Sequence, residues 1–333
     1  MKNVTIRDVA REAGVSVATV SNALNNTAVV RPETRQAVLA AVERLNYIPN
    51  ENGKLLRASE TRHIGLFVKA ILGQFYSTLA HTLYQSCQQA GYGLEINIID
   101  DPRRVLQAIQ TRTMDGAVVF FDGMEDDLRE QMIKTGYPIL FLDSDRTGEA
   151  CSSLLLDAYA QGCMAADYLW GLGKRSFLHM AGVDENYDAQ RRKKGFLDTL
   201  KTRGLPPDKV PLLQGRFERG AAYQEMRRYL AEGNPPPEAV FAGNDLSAVG
   251  CIAAMNEAGL RVPEDVSVLG CDDITLADYY APQLTTIRTN FEKLGSQAAV
   301  EIIRLIQGQA GRSVVLDSQL IIRKSCMPTG IND

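Results

Sequence analysis

The sequence is poor in the residues that catalytic and metal-binding proteins use most. It holds three histidines and six cysteines among 333 residues, and the cysteines form no C-x-x-C pair. Isolated cysteines within apolar stretches are typical of core side chains, so we expect reduced thiols and no bound metal or other cofactor. There is also no G-x-S-x-G elbow, no dinucleotide fingerprint and no complete phosphate-binding loop, so we do not expect an enzyme.

Long apolar runs and a leader segment are also missing. No stretch approaches the ~20 apolar residues of a membrane-spanning helix, and the chain opens on an amphipathic helix rather than on a charged stub followed by an apolar segment. We therefore expect a cytoplasmic protein without a membrane partner. A solute-binding protein without a transcriptional role is an alternative, but such a protein would need a leader and would not need the N-terminal segment.

The N-terminal segment carries the pattern of three short helices around one small core. Thr5 and Asp8 make a capping box that begins the first helix, Gly14 can take the left-handed conformation that ends it, and Ser16 is a good N-cap for a second helix. A third helix at 32–45 supplies an apolar face that covers the other two. Because helices this short are unstable alone, we expect the exposed side of the second to contact a partner, and in a helix-turn-helix that partner is DNA.

Charge is unevenly distributed along the chain. The first 62 residues hold nine Lys/Arg against six Asp/Glu, whereas the remaining residues hold 27 against 34. A modestly basic segment on an acidic body must use specific contacts, and two copies of it, to bind DNA tightly. This pattern favours a dimer on a specific site over indiscriminate nucleic-acid binding.

From residue 63 onward, apolar β-rich segments alternate with stretches of helical length. The strand candidates HIGLFVK, YGLEINII, DGAVVFF and PILFL come first, and SFLHM, VPLL, AVFA and DVSVLG repeat the rhythm after residue 156, with a helix expected at 189–203. This alternation predicts two parallel α/β lobes. The late segments LTTI and VVLDSQLII have no lobe of their own, so we expect them to cross back and complete both sheets.

Several of these segments resemble the lactose/galactose repressor family of bacterial transcriptional regulators, and the resemblance covers nearly the whole chain. It rests on TIRDVAREAGVSVATVS, on Tyr47-Ile48-Pro49-Asn50 with the LLR that follows, on Ile64-Gly65-Leu66 and on Leu284-Thr285-Thr286-Ile287. It implies a three-helix helix-turn-helix head at 1–48, a hinge helix or linker at 49–62, and an effector-binding and dimerisation body at 63–333. That body would have the periplasmic-binding-protein type I fold, with an N-lobe at about 63–156 and 288–318 and a C-lobe at about 157–287 and 319–333.

The resemblance also implies which residues meet DNA. Val17, Ala18 and Asn22 stand where family members read base edges, and their side chains suit thymine methyl groups and adenine. We expect phosphate contacts from Thr5, Ser16, Thr19, Ser21, Asn25 and Tyr47. In the hinge, Leu56 and Arg57 stand where the family enters the minor groove and wedges open a base step. The alternative is that Leu55 and Leu56 are a plain cap on the body.

Polar side chains follow several predicted strands, at the carboxyl ends where parallel α/β sheets bind ligands. They are Asp122, Asp143, Arg192, Asn244 and Asp272, and the aromatic residues near the same edge are Phe75, Tyr76, Phe217 and Phe291. Carboxylates, an amide and a guanidinium beside flat aromatic faces suit a neutral polyhydroxylated ligand such as a sugar. An Asp after a strand is also a common helix N-cap, and that alternative stays open for Asp122, Asp245 and Asp272.

By the same resemblance, sugar-binding positions of the family are occupied by Asp143, Arg192, Asn244, Asp272 and Phe291, with Phe217 at an aromatic platform. The family's purine pocket matches less well, because Asp188 and Asn186 replace a threonine and an arginine. We therefore expect a homodimeric repressor of a carbohydrate-utilisation operon that binds a pseudo-palindromic double-stranded DNA operator and responds to a small-molecule effector. A purine- or phosphoprotein-corepressed regulator of the same fold is the alternative.

Overall fold

The computed structural model describes residues 4–24, 29–47 and 60–328, and the chain divides into two compact units, Met1–Thr61 and Arg62–Asp333. The first unit contains the helices α1 (Ile6–Ala13), α2 (Val17–Leu24) and α3 (Pro32–Arg44). The predictions for Asn25, Leu56 and Arg57, and for most of the hinge, lie outside the described residues.

The ends of the first two helices are fixed by local hydrogen bonds. The Asp8 carboxylate accepts hydrogen bonds from the backbone N–H of Thr5 at 2.9 Å and from its hydroxyl at 2.6 Å. Gly14 ends α1 with a φ of 66°, a conformation that glycine adopts without a steric cost. The Ser16 hydroxyl accepts the Thr19 N–H at 3.1 Å, so Ser16 caps α2 as predicted.

The core of this unit is made of small and branched side chains from all three helices. Val9, Val20, Val38 and Ala41 are fully buried. Tyr47, which we expected to face a phosphate, packs its ring against this core and is only 9% exposed. Its N–H bonds to the carbonyl of Val42 at 3.0 Å, which folds the chain back over α3. A phosphate contact by Tyr47 is therefore restricted to the small part of the side chain that stays exposed.

The second unit contains two six-stranded sheets. The first sheet holds β1 (His63–Val68), β2 (Gly93–Ile98), β3 (Gly116–Phe120), β4 (Ile139–Phe141), β5 (Cys151–Leu156) and β11 (Ser313–Leu316), all parallel, in the order β11-β5-β4-β3-β1-β2. Helices α4 (Gln74–Gln89) and α12 (Phe291–Ile306) cover one face, and α5 (Arg103–Thr111) and α6 (Asp126–Lys134) cover the other. These elements form the N-lobe.

The second sheet holds β6 (Phe177–Ala181), β7 (Leu212–Gln214), β8 (Ala239–Ala242), β9 (Ser267–Asp272), β10 (Thr285–Arg288) and β12 (Gln319–Ile321), in the order β12-β10-β9-β8-β6-β7. Only β12 is antiparallel to its neighbour among these strands. Helices α7 (Ala158–Gly171) and α8 (Tyr187–Thr202) cover one face, and α9 (Arg219–Ala231) and α10 (Asp245–Glu257) cover the other. A short helix α11 (Thr275–Tyr279) and a 3-10 turn (Pro207–Lys209) complete the C-lobe.

The chain crosses between the two sheets after β5, after β10 and after β11. The last crossing divides the segment VVLDSQLII at Asp317 and Ser318, so that its two halves become strands of different sheets. The Ser318 hydroxyl accepts a hydrogen bond from the Gln161 amide at 2.8 Å, which fixes this crossing to α7. Three crossings bring the carboxyl ends of both sheets to the region where the lobes meet.

Candidate functional site

The carboxyl ends of the two sheets face each other across a cleft. Two hydrogen bonds span it: the Asn186 amide donates to Asp122 at 2.7 Å, and the N–H of Thr275 donates to the Gln74 amide oxygen at 2.8 Å. We call the N-lobe side the N-rim; it consists of Phe75, Tyr76, Asp122 and Asp143. We call the C-lobe side the C-rim; it consists of Asn186, Asp188, Arg192, Phe217, Asn244 and Asp272.

In the N-rim, Asp143 is part of a buried ion pair. The residue is only 4% exposed, and its Oδ2 accepts hydrogen bonds from Arg129 Nη2 at 2.9 Å and from the N–H of Phe121 at 3.1 Å. Its Oδ1 has no partner among the described residues. Burial raises the pKa of Asp143 to about 6, although the Arg129 charge acts in the opposite direction. Sequence reasoning found Asp143 but missed Arg129, which lies on α6 in a charge-rich segment.

Asp122 lies beside this ion pair and reaches across the cleft. It is not the N-cap of the helix that follows, because Glu125 precedes α6. The Asp122 carboxylate instead accepts the amide of Asn186. Burial raises the pKa of Asp122, while this hydrogen bond and the charge of Lys69 lower it. The alternative of a plain helix cap is therefore wrong for Asp122.

Aromatic rings form the apolar wall of the N-rim. The ring of Phe75 lies 5.0 Å from those of Tyr76 and Phe120 and 5.1 Å from that of Phe291, measured between centroids. Burial, followed by the nearby Asp122 charge, raises the pKa of Tyr76 to about 12, so its hydroxyl keeps its proton. Three aromatic residues predicted from the sequence thus come together, and Phe120, which was not predicted, joins them.

In the C-rim, Arg192 and Asn244 are bonded mainly to neutral groups of the protein. Arg192 is 4% exposed and donates from Nε to Gln161 at 2.9 Å and from Nη1 to the carbonyl of Gly243 at 2.6 Å. Asn244 caps α10 by accepting the N–H of Ser247 at 2.9 Å, and its amide donates to the Phe217 carbonyl at 3.0 Å. Both side chains therefore hold the C-rim in shape, with only part of their hydrogen-bonding capacity left for a ligand.

Phe217 is held in a conformation that a bulky residue rarely adopts. Its φ is 62° and that of Arg216 is 53°. A Cβ atom on Gly182 would overlap the Phe217 ring, so the glycine leaves the space in which the ring lies. Such strain persists only where surrounding contacts maintain it, and it concentrates at functional sites. The hydrogen bond from Asn244 to the Phe217 carbonyl is one of these contacts.

Asp188 and Asp272 are carboxylates without a hydrogen-bond donor in the described part of the chain. Asp188 lies in the first turn of α8, which begins at Tyr187 rather than at Ala189 as predicted, because Asn186 caps it by accepting the Ala189 N–H at 2.7 Å. Asp188 Oδ1 is shielded from solvent and unpartnered. Burial is the main cause that raises the pKa of Asp188 and of Asp272 to about 7. The Arg192 charge acts in the opposite direction on both, and the charges of Asp122 and Asp143 contribute to the rise for Asp188.

The start of α2 presents the predicted base-reading residues. Val17 is 41% exposed, Ala18 is exposed, and Asn22 is half-buried one turn further on. The hydroxyls of Ser16 and Thr19 lie 2.8 Å apart and bond to each other, so part of their capacity for phosphate contacts is already used. Exposed apolar side chains at a helix start are unfavourable in water and suit contact with thymine methyl groups.

No helix within the described ranges is long and apolar enough to cross a membrane. The same residues contain no group of three or more His, Cys, Asp or Glu side chains placed to hold a metal ion.

A helix-turn-helix head and a two-lobed α/β body define a DNA-binding transcriptional regulator. Residues 5–50 match the bacterial regulatory proteins of the lacI family, and residues 166–326 match the periplasmic binding protein-like domain. The HTH-type transcriptional repressor PurR of Pasteurella multocida (strain Pm70) is 31% identical over 328 residues, which cover 96% of this chain and 98% of the relative. The chain belongs to the lactose/galactose repressor family, and it is a DNA-binding transcriptional repressor rather than an enzyme.

Solved structures of the family share this architecture. A lac repressor dimer bound to operator and the anti-inducer ONPF is 28% identical with a TM-score of 0.83, covering 98% of this chain and 100% of that one. The complex of the transcriptional regulator CelR with cellobiose is 26% identical with a TM-score of 0.71, covering 97% of this chain and 100% of that one. The predicted fold class is confirmed.

Proposed function

We propose that this chain acts in the cytoplasm as a homodimeric repressor on a pseudo-palindromic operator, and that a small polyhydroxylated molecule in the cleft controls its operator affinity. One observation carries the proposal: an aromatic wall and a set of carboxylates lie between two lobes that hydrogen bonds such as Asn186–Asp122 and Thr275–Gln74 join among the described residues. A ligand that binds one lobe arrangement better than another shifts the equilibrium between them.

A sugar is the ligand class that we favour. Its hydroxyl groups can donate hydrogen bonds to Asp188 and Asp272, and its apolar C–H faces can stack on Phe217 and on the wall around Phe75. The cellobiose complex of the related CelR supports this choice, because it is a family member with a sugar ligand. In this reading the chain represses genes of carbohydrate utilisation.

A nucleobase is the second candidate, and the similarity to PurR repressors favours it. The hydrogen-bonding groups of the C-rim argue against a nucleobase. The Asn186 amide is already bonded to Asp122, and Asp188 offers only an acceptor when ionised. The carbonyl oxygen of an oxopurine would meet acceptors rather than donors at this point of the cleft.

Operator selection followed by ligand titration tests the proposal. Full-length protein should enrich symmetric half-sites from random double-stranded DNA. The resulting complex is then titrated with sugars and, separately, with nucleobases in a mobility-shift assay. A change of operator affinity with a sugar supports the proposal, a change with nucleobases alone selects the second candidate, and asymmetric or absent enrichment contradicts the role of a dimeric operator-binding protein.

The same selection separates base-reading from phosphate contacts. Val17→Tyr combined with Ala18→Gln should change which half-site is enriched, because these side chains start the helix that reads bases. Ser21→Ala should weaken all sites alike, since a phosphate contact carries no direct sequence information. An unchanged half-site with the double variant would remove Val17 and Ala18 from the base-reading set.

A further inference from the structure

The cleft holds four carboxylates, Asp122, Asp143, Asp188 and Asp272, against three nearby cations, Lys69, Arg129 and Arg192. Asp143 uses one oxygen on Arg129, whose positive charge is thereby taken up within the N-lobe. Arg192 donates to the neutral groups Gln161 and Gly243 and is not within salt-bridge distance of a carboxylate among the described residues. Its charge lowers the pKa of Asp188 and Asp272 without a direct ion pair, so neither carboxylate has a cation at hydrogen-bond distance among the described residues.

Two buried carboxylate oxygens in the cleft accept no hydrogen bond in the described part of the chain. They are Asp188 Oδ1 and Asp143 Oδ1, and Asp143 as a residue is only 4% exposed. The nearby Asn186 amide donates to Asp122. An orphaned acceptor in a native structure costs free energy unless something else supplies the donor, so these oxygens point to a ligand.

The aromatic wall of the N-rim, which lies beside Asp122, adds a second attraction for positive charge. Phe75 and Tyr76 pack edge to face at 5.0 Å, and Tyr76 lies close enough to Asp122 to feel its charge. The electron-rich faces of aromatic rings attract cations, most strongly where water is excluded. Acceptors and aromatic faces together form the environment that proteins use for a protonated amine.

We propose that the effector is a hydroxylated amine of the amino-sugar class, whose protonated nitrogen binds the Asp188 carboxylate while Asp143, Asp122 and Asp272 make the surroundings negative. This inference rests on the proposed function, in which the cleft is the effector site. A neutral sugar could donate hydrogen bonds to the same oxygens. It would add no positive charge to a cleft in which four carboxylates face three cations, however, whereas a cation supplies donors and compensating charge together.

Matched ligand pairs on the full-length protein test the inference. Glucosamine, galactosamine and mannosamine are compared by calorimetry with glucose, galactose and mannose and with the neutral N-acetyl derivatives. We expect one amine to bind roughly tenfold more tightly than its neutral partners, since charge-assisted hydrogen bonds are about twice as strong as neutral ones. Equal or tighter binding by a neutral partner, or no binding by any of the amines at millimolar concentration, overturns the inference.

Single substitutions identify the residue that gives the cleft its preference for an amine. Asp188→Asn should abolish the preference for the amine, whereas Asp127→Asn, which removes an exposed carboxylate on α6, should preserve it. Without ligand, Asp188→Asn should raise the melting temperature at pH 8, because it removes an unpaired buried charge. A lower melting temperature would make Asp188 a structural acceptor and overturn the inference.

The effect of each ligand on operator affinity is measured separately from its binding to the protein. If a neutral sugar changes operator affinity as strongly as the amine, the proposed function stands and the inference about the amine fails. If the amine binds the protein but leaves operator affinity unchanged, the inference about the ligand stands and the proposed control of the operator fails.

Discussion

The two rims of the cleft handle buried charge differently. In the N-rim, Asp143 is bonded to Arg129 at 2.9 Å and to the N–H of Phe121, so most of its charge is stabilised within the lobe. In the C-rim, Asp188 and Asp272 have no hydrogen-bond donor in the described chain. A paired buried charge maintains a fold, whereas an unpaired one costs stability until a partner arrives. The Arg129–Asp143 pair of the N-rim thus stabilises its lobe, whereas Asp188 and Asp272 of the C-rim are left ready for a ligand.

The largest expected effect is a loss of stability when the ion pair of the N-rim, between Arg129 and Asp143, is broken. Arg129→Met should destabilise the protein by about 3–5 kcal/mol, because it leaves the Asp143 carboxylate buried without its cation. The melting temperature should fall on the order of 10 °C, measured by calorimetry on the full chain. Arg146→Met, which removes an arginine that pairs with the exposed Asp126, should cost less than about 1 kcal/mol. Equal losses in the two variants would show that the Arg129 pair is not structural.

The second expected effect is in the C-rim, where replacing the unpaired Asp272 should stabilise the protein rather than destabilise it. Burial raises the pKa of Asp272 to about 7, above the ~3.9 of an unfolded aspartate, so the folded protein holds a proton that the unfolded chain releases. The bound proton on Asp272 stabilises the folded state. This contribution is fully present below pH ~4 and is lost as the pH rises through the folded-state pKa of about 7. Asp272→Asn should therefore raise stability at pH 8, on the order of 2 kcal/mol, and change it little at pH 4.

This difference is measured as melting temperature against pH for the wild type and Asp272→Asn. Asparagine matches aspartate in size and shape, so the substitution leaves the space around the backbone unchanged at this position, where φ is 113°. Asp127→Asn serves as the control for removing an exposed charge. A destabilising effect of Asp272→Asn at pH 8 would mean that the carboxylate has a partner within the folded chain, and the contrast between the rims would be lost.

The smallest effect concerns the contact that joins the rims. Asn186→Ser keeps a side-chain oxygen to cap α8 but removes the donor to Asp122. Asn186→Asp also keeps the cap but places a second carboxylate against Asp122. A hydrogen bond contributes about 1 kcal/mol net, so Asn186→Ser should shift the equilibrium toward open lobes about fivefold, and Asn186→Asp should shift it further. The radius of gyration from small-angle X-ray scattering should increase in that order, and identical scattering from all three proteins would contradict the contact.

Much of the fold was predictable because most strands are buried on both faces and therefore appear as continuous apolar runs. Edge strands gave a weaker signal, as in β7, where Leu212 and Gln214 are exposed. The segment VVLDSQLII could not be divided between two sheets from its pattern alone. That division depends on a contact from Ser318 to Gln161, which is distant in sequence.

The candidate site was predictable where a polar residue directly follows a strand, as for Asp122 and Asp143. It was missed where the partner lies on a helix. Arg129 stands in a charge-rich stretch that is typical of a solvated face, and the available signal was its position between the buried Leu128 and Met132. The cap Asn186 was missed because α8 was predicted to start two residues late, which also hid the position of Asp188 in the first turn.

The most direct test of the contrast between the rims is the ionisation of their carboxyl groups in the ligand-free protein. Aspartate labelled with carbon-13 at the side-chain carboxyl is followed by nuclear magnetic resonance from pH 4 to pH 9, with Asp188→Asn and Asp272→Asn used to assign the signals. Two C-rim resonances that titrate near the pKa of about 7 expected for Asp188 and Asp272 would support the account. Resonances of both residues that are fully ionised by pH 5 would show that their charges are already stabilised, and would contradict it.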